Sequence, residues 1–189
     1  KYAIAGWGVL FLQKERAFSL EQATQIIAFS AVFGVLGTVL AGWLSDRVFN
    51  SDRIRPAILS GAVSFVSLAL FLFAGGGYMM NILYVSLFSL SIGVLYCIVA
   101  GLMAVDIVPR KATGAALGIV GISSYIAAGL QDITSGYLIQ YNTGQVNGAD
   151  VYDFGPVSYF WLAAALVSFV LPVLNWKKMK NQTINEYNR

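Results

Sequence analysis

The chain has 189 residues, of which 58% are hydrophobic and only 11% are charged, with a net charge of +3. Soluble domains carry about 25% charged residues, so the composition favours a membrane protein and excludes a broad basic surface for nucleic acid. The sequence has no histidine and a single cysteine, Cys97, which excludes a disulfide framework and the Ser-His-Asp and Cys-His types of catalysis. We therefore predict neither an enzyme nor a bound cofactor or metal.

Apolar segments of membrane-spanning length follow one another along the chain. A spanning helix needs roughly 20 mainly apolar residues. Segment 1–13 is shorter, and we expect it to be the latter part of a first span whose start is missing. Five further spans are predicted at 20–43, 55–74, 80–105, 113–140 and 156–176. The result is an all-α polytopic bundle over residues 1–176, followed by a tail at 177–189.

The basic residues predict the orientation of this bundle. Only Lys14 and Arg16 fall in the gaps on one side, and Lys1 lies within the first span. The other nine fall in the alternate gaps and the tail: Arg47, Arg53, Arg55, Arg110, Lys111, Lys177, Lys178, Lys180 and Arg189. The positive-inside rule places that richer side, with the C-terminus, in the cytoplasm. We expect an integral protein of a bacterial inner (cytoplasmic) membrane.

Local signals complete the outline. Ser19 and Gln22 have the spacing of a helix-capping box at the start of the second span. Lys14, Glu15 and Arg16 precede that cap, and we expect them to be solvated in the outer turn. Aromatic residues near the span ends are expected to form interfacial belts: Tyr78, Tyr137, Tyr141, Tyr152, Tyr159, Trp161 and Trp176.

A charged motif, Gly42-Trp43-Leu44-Ser45-Asp46-Arg47, ends the second span on the predicted cytoplasmic side. It resembles the G-x-x-x-D-R loop motif of the major facilitator superfamily, which lies between the second and third helices of each six-helix half. Gly42 is expected to allow close helix approach. Asp46 is expected to accept hydrogen bonds from a neighbouring helix N-terminus and to pair with Arg47. These three residues are predicted to form a latch that biases the open and closed states of the cytoplasmic face.

A finer resemblance covers most of the chain. Val108-Pro109-Arg110-Lys111-Ala112 resembles the P-K-K-A loop of the organophosphate:phosphate antiporter family, and Arg110 and Lys111 are thereby added to the latch. The other residues that carry this resemblance are Lys1-Tyr2, Trp7, Phe11-Leu12, Phe18, Leu20, Gly34, Gly37-Thr38, Gly42 to Asp46, Gly114, Gly118, Gly121 and Tyr125. The resemblance implies the C-terminal half of a transporter that works by alternating access, with the N-terminal six-helix half as its partner.

The same resemblance implies a substrate site for a small organic anion. A phosphate-binding arginine of the family matches Lys1, and a tyrosine of the central cavity matches Tyr125. The implied substrate is a phosphorylated sugar or glycerol phosphate, exchanged for inorganic phosphate. The sequence departs from the family at Ala31, where one member carries glutamate, and at Leu95-Tyr96, where the family has Gly-Pro. A lysine also binds phosphate as a point charge rather than as a bidentate fork.

The fifth span carries a stripe of small and polar residues that is visible without any resemblance. The stripe consists of Gly114, Gly118, Gly121, Tyr125, Gly129, Asp132 and Gly136, at spacings of three and four residues. A carboxylate facing lipid costs roughly 2.5–3.5 kcal/mol at the bilayer centre, so Asp132 should face protein or water. One hypothesis pairs Asp132 with Lys1 across the substrate cavity. The other places Asp132 near the outer interface, where water solvates it.

Three other functions stay open at this point. A proton-coupled symporter of a sugar acid or another carboxylate would use Asp132, or a group in the missing half, as its titratable carboxylate. A transporter-like sensor of sugar phosphate would signal to a membrane kinase. An enzyme is disfavoured because no nucleophile with its base, and no metal-ligand set, is visible.

Overall fold

The computed structural model describes residues 1–49, 53–106, 108–146 and 149–174. Its elements are α1 (Tyr2–Lys14), α2 (Leu20–Trp43), α3 (Ile54–Ala69), α4 (Tyr78–Leu95), α5 (Ala104–Asp106), α6 (Thr113–Tyr141), β1 (Thr143–Val146), β2 (Ala149–Tyr152) and α7 (Gly155–Leu174). Three helices continue as π-helix, α2 into Leu44–Val48, α3 into Leu70–Ala74 and α4 into Tyr96–Met103. A 3₁₀ turn at Arg110–Ala112 precedes α6.

The helices lie where the apolar segments predict them, and most described boundaries agree to within two residues. The exception is the second span, predicted to end at 43, whose helix continues as π-helix to Val48. Four are long and apolar enough to cross a membrane: Leu20–Val48, Ile54–Ala74, Tyr78–Met103 and Arg110–Tyr141. Gly155–Val170 is a shorter apolar helix, and α1 has 13 residues. The fold is therefore a helical, polytopic membrane bundle. The predicted end of the sixth span at 176 and the tail at 177–189 lie outside the described residues.

The closest packing in the bundle joins α2 to α4. A Cβ atom added at Gly37 would collide with the backbone carbonyl of Leu90, and one at Gly93 would collide with the carbonyl of Gly34. Lipid offers helices no hydrophobic driving force for association, so small residues that let two backbones approach gain van der Waals contact instead. These glycines fix the position of α4 against α2, and hence the walls of the space between them.

An apolar core surrounds Phe11 at the Lys14 end of α1. The Phe11 ring lies 5.2 Å from that of Phe71 and meets Phe154 edge-on at 5.5 Å, between ring centroids. These contacts join α1 to the end of α3 and the start of α7. A smaller cluster of Ala41 and Ile98 forms between α2 and the π-helical part of α4, nearer the other end of the bundle.

Arg16 is a structural residue, so the prediction of a solvated outer turn is wrong at this position. Its guanidinium donates to the carbonyls of Leu72 at 2.9 Å and Phe71 at 3.4 Å, at the end of α3. Helix ends carry carbonyls without intrahelical partners, and a cation compensates them. The chain turns away beside this cap at Gly75 and Gly76, whose φ angles of 69° and 114° favour glycine.

The predicted capping box of Ser19 and Gln22 at the start of α2 is confirmed, with both hydrogen bonds at 3.2 Å.

A hydrogen-bonded network joins α6 to α7. The Trp161 indole N–H donates to the Ser135 hydroxyl at 2.8 Å, and the Gln131 amide donates to the same oxygen at 2.8 Å. Trp161 is 3% exposed and Ser135 is fully buried. The expectation that Trp161 lies in an interfacial belt is therefore wrong, because its polar edge is satisfied inside the bundle.

The loop after α6 contains one element that the all-α prediction did not include. β1 and β2 form an antiparallel pair, in which Thr143 faces Tyr152 and Val146 faces Ala149. The Asn147-Gly148 dipeptide in the sequence is a recognised hairpin signal that could have indicated it. Tyr152 of the hairpin packs against the apolar core of the bundle, and the short hairpin does not alter the helical class.

Candidate functional site

Lys1 lies beside an aromatic ring of α4. Its ammonium nitrogen is 5.2 Å from the ring centroid of Tyr96, within the range of a cation–π interaction. Lys1 itself is exposed, and it forms no ion pair with any residue that the structure describes. The predicted anion-binding residue is thus a cation without a carboxylate partner in the described chain.

Two cavities meet at Tyr96. The hydroxyl-lined cavity, of about 320 Å³, lies between α1, α2 and α4 and is lined by Lys1, Ser30, Thr38, Ser89 and Tyr96 together with apolar residues and two glycines. The apolar cavity, of about 540 Å³, lies between α2, the π-helical part of α4, and α6. Thr38 and Tyr96 line both cavities. The hydroxyl-lined cavity combines one positive charge with hydroxyl groups, which suits a small anion.

Tyr125 contacts the start of α1 at Tyr2, the residue after Lys1, rather than at Lys1 itself. Its ring lies 6.5 Å from that of Tyr2, centroid to centroid, at 42°. The Tyr125 side chain is 73% exposed, on the face of α6 that also carries the glycine stripe. Lys1 and Tyr125 are therefore brought to the same end of α1, with Tyr2 and Tyr96 next to them.

Asp132, on α6, lies beside α1 at a point farther from Lys1 than an ion pair between these two residues requires. Its Oδ1 atom would be 3.6 Å from a Cβ atom at Gly6, so the carboxylate contacts α1 at that point. Gly6 is five residues from Lys1, which is roughly 7.5 Å along a helix axis. The two charges form no ion pair in the described chain, and the proposed pairing of Lys1 with Asp132 is not seen. The Asp132 side chain is exposed.

The glycine stripe of α6 faces open space over most of its length. A Cβ atom at Gly114, Gly118, Gly121 or Gly129 would meet nothing within 4 Å in the described chain. Only Gly136 is covered, with the Trp7 ring 3.3 Å from its added Cβ atom. In the described chain the stripe is therefore open at most of its glycines, whereas Tyr125, Asp132 and Gly136 contact α1.

The latch residues at the end of α2 are arranged differently from the prediction. The Asp46 carboxylate accepts from Arg53 at 2.8 Å, and the same guanidinium donates to the Ser45 hydroxyl at 2.7 Å. In the described chain the partner of Asp46 is therefore Arg53 and not Arg47, because Arg53, the residue before α3, lies beside the end of α2. Nothing lies within 4 Å of a Cβ atom at Gly42, so the expected close helix approach does not occur there in the described chain.

Arg110 and Lys111 lie in the 3₁₀ turn before α6, and both are exposed. The Ala112 amide donates to the Pro109 carbonyl at 2.8 Å and closes this turn. Because α4 runs toward this turn and α2 runs toward Asp46, the two basic groups lie at the same end of the bundle as the Asp46–Arg53 pair. Among the described residues no group of three or more His, Cys, Asp or Glu side chains could hold a metal ion.

Sequence reasoning missed Tyr96 and the hydroxyl groups around it. In the sequence, Tyr96 stands out only as a departure from the Gly-Pro pair of the family, and Thr38 only as one of the residues that carry the resemblance. No motif in the sequence marks Ser30 or Ser89. A helical wheel of α4 places Ser89, Gly93 and Tyr96 on one face, at spacings of four and three residues. That spacing could have indicated the site if the neighbouring helices had been known.

The fold and this geometry define a class: a helical membrane protein with a charged cavity between α1, α2 and α4. The chain belongs to the Major Facilitator Superfamily, whose family model matches residues 2–131. The superfamily resemblance carried by the loop motif is confirmed.

Several curated proteins are similar to this chain. The glycerol-3-phosphate transporter of Bacillus subtilis is 33% identical over 128 residues, which cover 67% of this chain and 28% of that protein. The phosphoglycerate transporter protein of Salmonella typhimurium is 31% identical over 131 residues, covering 67% and 27%. The membrane sensor protein UhpC of Escherichia coli is 28% identical over 130 residues, covering 68% and 29%.

The chain therefore matches less than a third of the length of each of these relatives. No solved structure matches it.

Proposed function

We propose that this chain is the C-terminal six-helix half of a secondary transporter that exchanges a small phosphorylated organic anion for inorganic phosphate. The observation that carries the proposal is the Lys1 ammonium group at the hydroxyl-lined cavity, with no carboxylate to neutralise it in the described chain. The similarity to proteins named as transporters of glycerol 3-phosphate and phosphoglycerate supports this substrate class.

The mechanism that we propose is alternating access. The N-terminal half of the same protein would close over the open face of α6, and the two halves would rock about a site near the midplane of the membrane. Lys1 attracts the anion, and Tyr125 donates a hydrogen bond to it. Asp132, which lies about two helical turns beyond Tyr125, limits the negative charge that the cavity accepts.

The cytoplasmic end of the bundle would carry the latch, formed by Gly42, Asp46, Arg47, Arg110 and Lys111. In this proposal Asp46 acts through Arg53, while Arg47, Arg110 and Lys111 are exposed and can meet the other half. The localisation proposed with it is the inner membrane of a bacterium, with the C-terminus in the cytoplasm. The density of basic residues at the Arg110 end supports that orientation.

Counterflow in proteoliposomes tests the proposal with the full-length protein. Liposomes are loaded with phosphate, labelled glycerol 3-phosphate is added outside, and wild type is compared with Lys1→Ala and Lys1→Arg. We expect uptake that requires internal phosphate, is lost in Lys1→Ala and is retained in Lys1→Arg, because arginine keeps the charge. Uptake that ignores internal phosphate would overturn the exchange mechanism, and full uptake by Lys1→Ala would overturn the role of Lys1.

Proton-coupled symport of a carboxylate is a second candidate, favoured by one observation. Asp132 is an exposed carboxylate on α6 without a cationic partner in the described chain, and a carboxylate within a membrane span is a candidate proton-binding group. In the same liposomes, uptake driven by an acid-outside gradient and absent in Asp132→Asn would support it. A sugar-phosphate sensor, as the similarity to the UhpC sensor suggests, would bind the anion without measurable counterflow.

A further inference from the structure

Tyr96 occupies a junction in the described bundle. It is the first residue of the π-helical segment Tyr96–Met103, and its ring lines both the hydroxyl-lined and the apolar cavity. Insertions of π-helix into α-helices are frequent at functional sites, because they redirect side chains from their regular positions. The side chain is 51% exposed, so no tight packing explains its placement.

The ring face of Tyr96 holds the Lys1 ammonium at 5.2 Å. A lysine carries a compact charge on a flexible four-carbon stem, and ordering that stem costs conformational entropy. A carboxylate would order the ammonium but would also neutralise it and compete with an anionic ligand. An aromatic face attracts the cation through its quadrupole and leaves the N–H groups free to donate.

We propose that Tyr96 is a positioning residue, whose ring holds the Lys1 ammonium at the mouth of the hydroxyl-lined cavity for an incoming phosphate group. This inference rests on the proposed function, since Lys1 must bind the anion. It adds a residue that the resemblance does not supply, because the matching family position carries part of a Gly-Pro pair. The role belongs to the ring and not to the phenolic hydroxyl.

The transport test compares ring-keeping with ring-removing variants of the full-length protein in phosphate-loaded liposomes. Tyr96→Phe and Tyr96→Trp keep an aromatic face, whereas Tyr96→Leu keeps bulk without one. We expect Tyr96→Leu to raise the KM for inorganic phosphate about three- to thirtyfold with little change in maximal rate. Tyr96→Phe should stay near wild type. A wild-type KM in Tyr96→Leu, or an equal rise in Tyr96→Phe, would overturn the proposal.

A second measurement does not depend on transport. Thermal unfolding of the purified full-length protein is compared for wild type, Lys1→Met, Tyr96→Leu and the double variant, without any anion. The ring–ammonium contact predicts that the double variant loses less than the sum of the single losses. Additive losses would overturn the contact even if phosphate exchange is found. Non-additive losses in a protein that exchanges no phosphate would support the contact while rejecting the proposed function.

Discussion

The buried hydroxyl oxygen of Ser135 takes part in three hydrogen bonds. It accepts from the Trp161 indole and from the Gln131 side-chain amide, and it donates to the backbone carbonyl of Gln131 at 2.7 Å. Ser124 lies on the same helix, but among the described residues its hydroxyl donates only to the backbone carbonyl of Val120, one turn back. The two serines therefore differ in whether they join α6 to another helix.

This difference predicts the outcome of two matched substitutions. Ser135→Ala leaves the Trp161 N–H unpaired in the interior and should cost about 1–2 kcal/mol of unfolding free energy. Ser124→Ala should cost less than about 0.5 kcal/mol, because the helix keeps its backbone bonds. Thermal unfolding of the full-length protein in detergent measures both. Equal losses in the two variants would show that the bond between Trp161 and Ser135 does not stabilise the packing of α6 on α7.

The partner of Asp46 has a consequence for the latch. Arg53 is 24% exposed and Asp46 is 60% exposed, so the pair contributes at most about 1 kcal/mol to stability. An energy of that size still changes the ratio of two conformational states about fivefold.

We expect Arg53→Gln to change the rate of exchange several-fold and to lower the unfolding temperature by about 2–4 °C, because it removes both the Asp46 pair and the bond to buried Ser45. Arg47→Gln should have the smaller effect, because the Asp46–Arg53 pair remains intact in it. Exchange rates in liposomes and thermal unfolding measure the two effects. A larger change of rate in Arg47→Gln than in Arg53→Gln would restore the pairing that the sequence predicted.

At the scale of elements, α2 and α4 form the rigid pair on which the site is built. Gly37 and Gly93 allow their backbones to touch, and the hydroxyl-lined cavity opens beside that contact. Gly34 belongs to the same helix face, yet a Cβ atom there would lie 3.8 Å from the Ser89 carbonyl, an ordinary contact. The described α6, by contrast, buries only Ser135 and Ile139.

We therefore predict that alanine substitutions at Gly37 and Gly34, which lie on the same face of α2, differ in their effect on stability. Gly37→Ala must push α4 away and should lower stability by about 1–3 kcal/mol, whereas Gly34→Ala should be nearly neutral. Thermal unfolding and the yield of folded full-length protein from membranes report the difference. A tolerated Gly37→Ala would mean that the two backbones do not touch at Gly37 and Leu90.

At the scale of the whole molecule, one side of the described bundle packs around an apolar core and the other side is open. The core lies around Phe11, where α1, α2, α3, α4 and α7 meet with the end of α6. The glycine stripe of α6 and the Tyr125 side chain lie on the open side. We infer that the N-terminal half covers this side, so we expect the isolated chain to show no uptake in liposomes.

The proposed orientation gives a separate prediction for the whole molecule. Single cysteines are introduced at Lys111, in the turn before α6, and at Asp150, in the hairpin strand β2, of a full-length protein otherwise free of cysteine. An impermeant maleimide added to intact spheroplasts should label Asp150→Cys, and Lys111→Cys should be labelled only after the membrane is opened. The reverse pattern would invert the bundle in the membrane.

The sequence by itself determined the helices, because a span must be long, apolar and internally hydrogen-bonded in lipid, and these requirements appear in every segment from 20–43 onward. It also determined the superfamily, through the motif from Gly42 to Arg47, and the capping box at Ser19. Each of these signals is local, so a single stretch of chain contains all of it.

Only the tertiary structure decided which side chains meet. The ring of Tyr96 beside Lys1, the bond from Trp161 to Ser135, and the cap that Arg16 makes on α3 all join residues that are distant in the chain. The separation of Asp132 from Lys1 depends on how far α6 is shifted along α1. Such contacts depend on the angle and offset between helices, which packing of the whole bundle sets and helical periodicity does not encode.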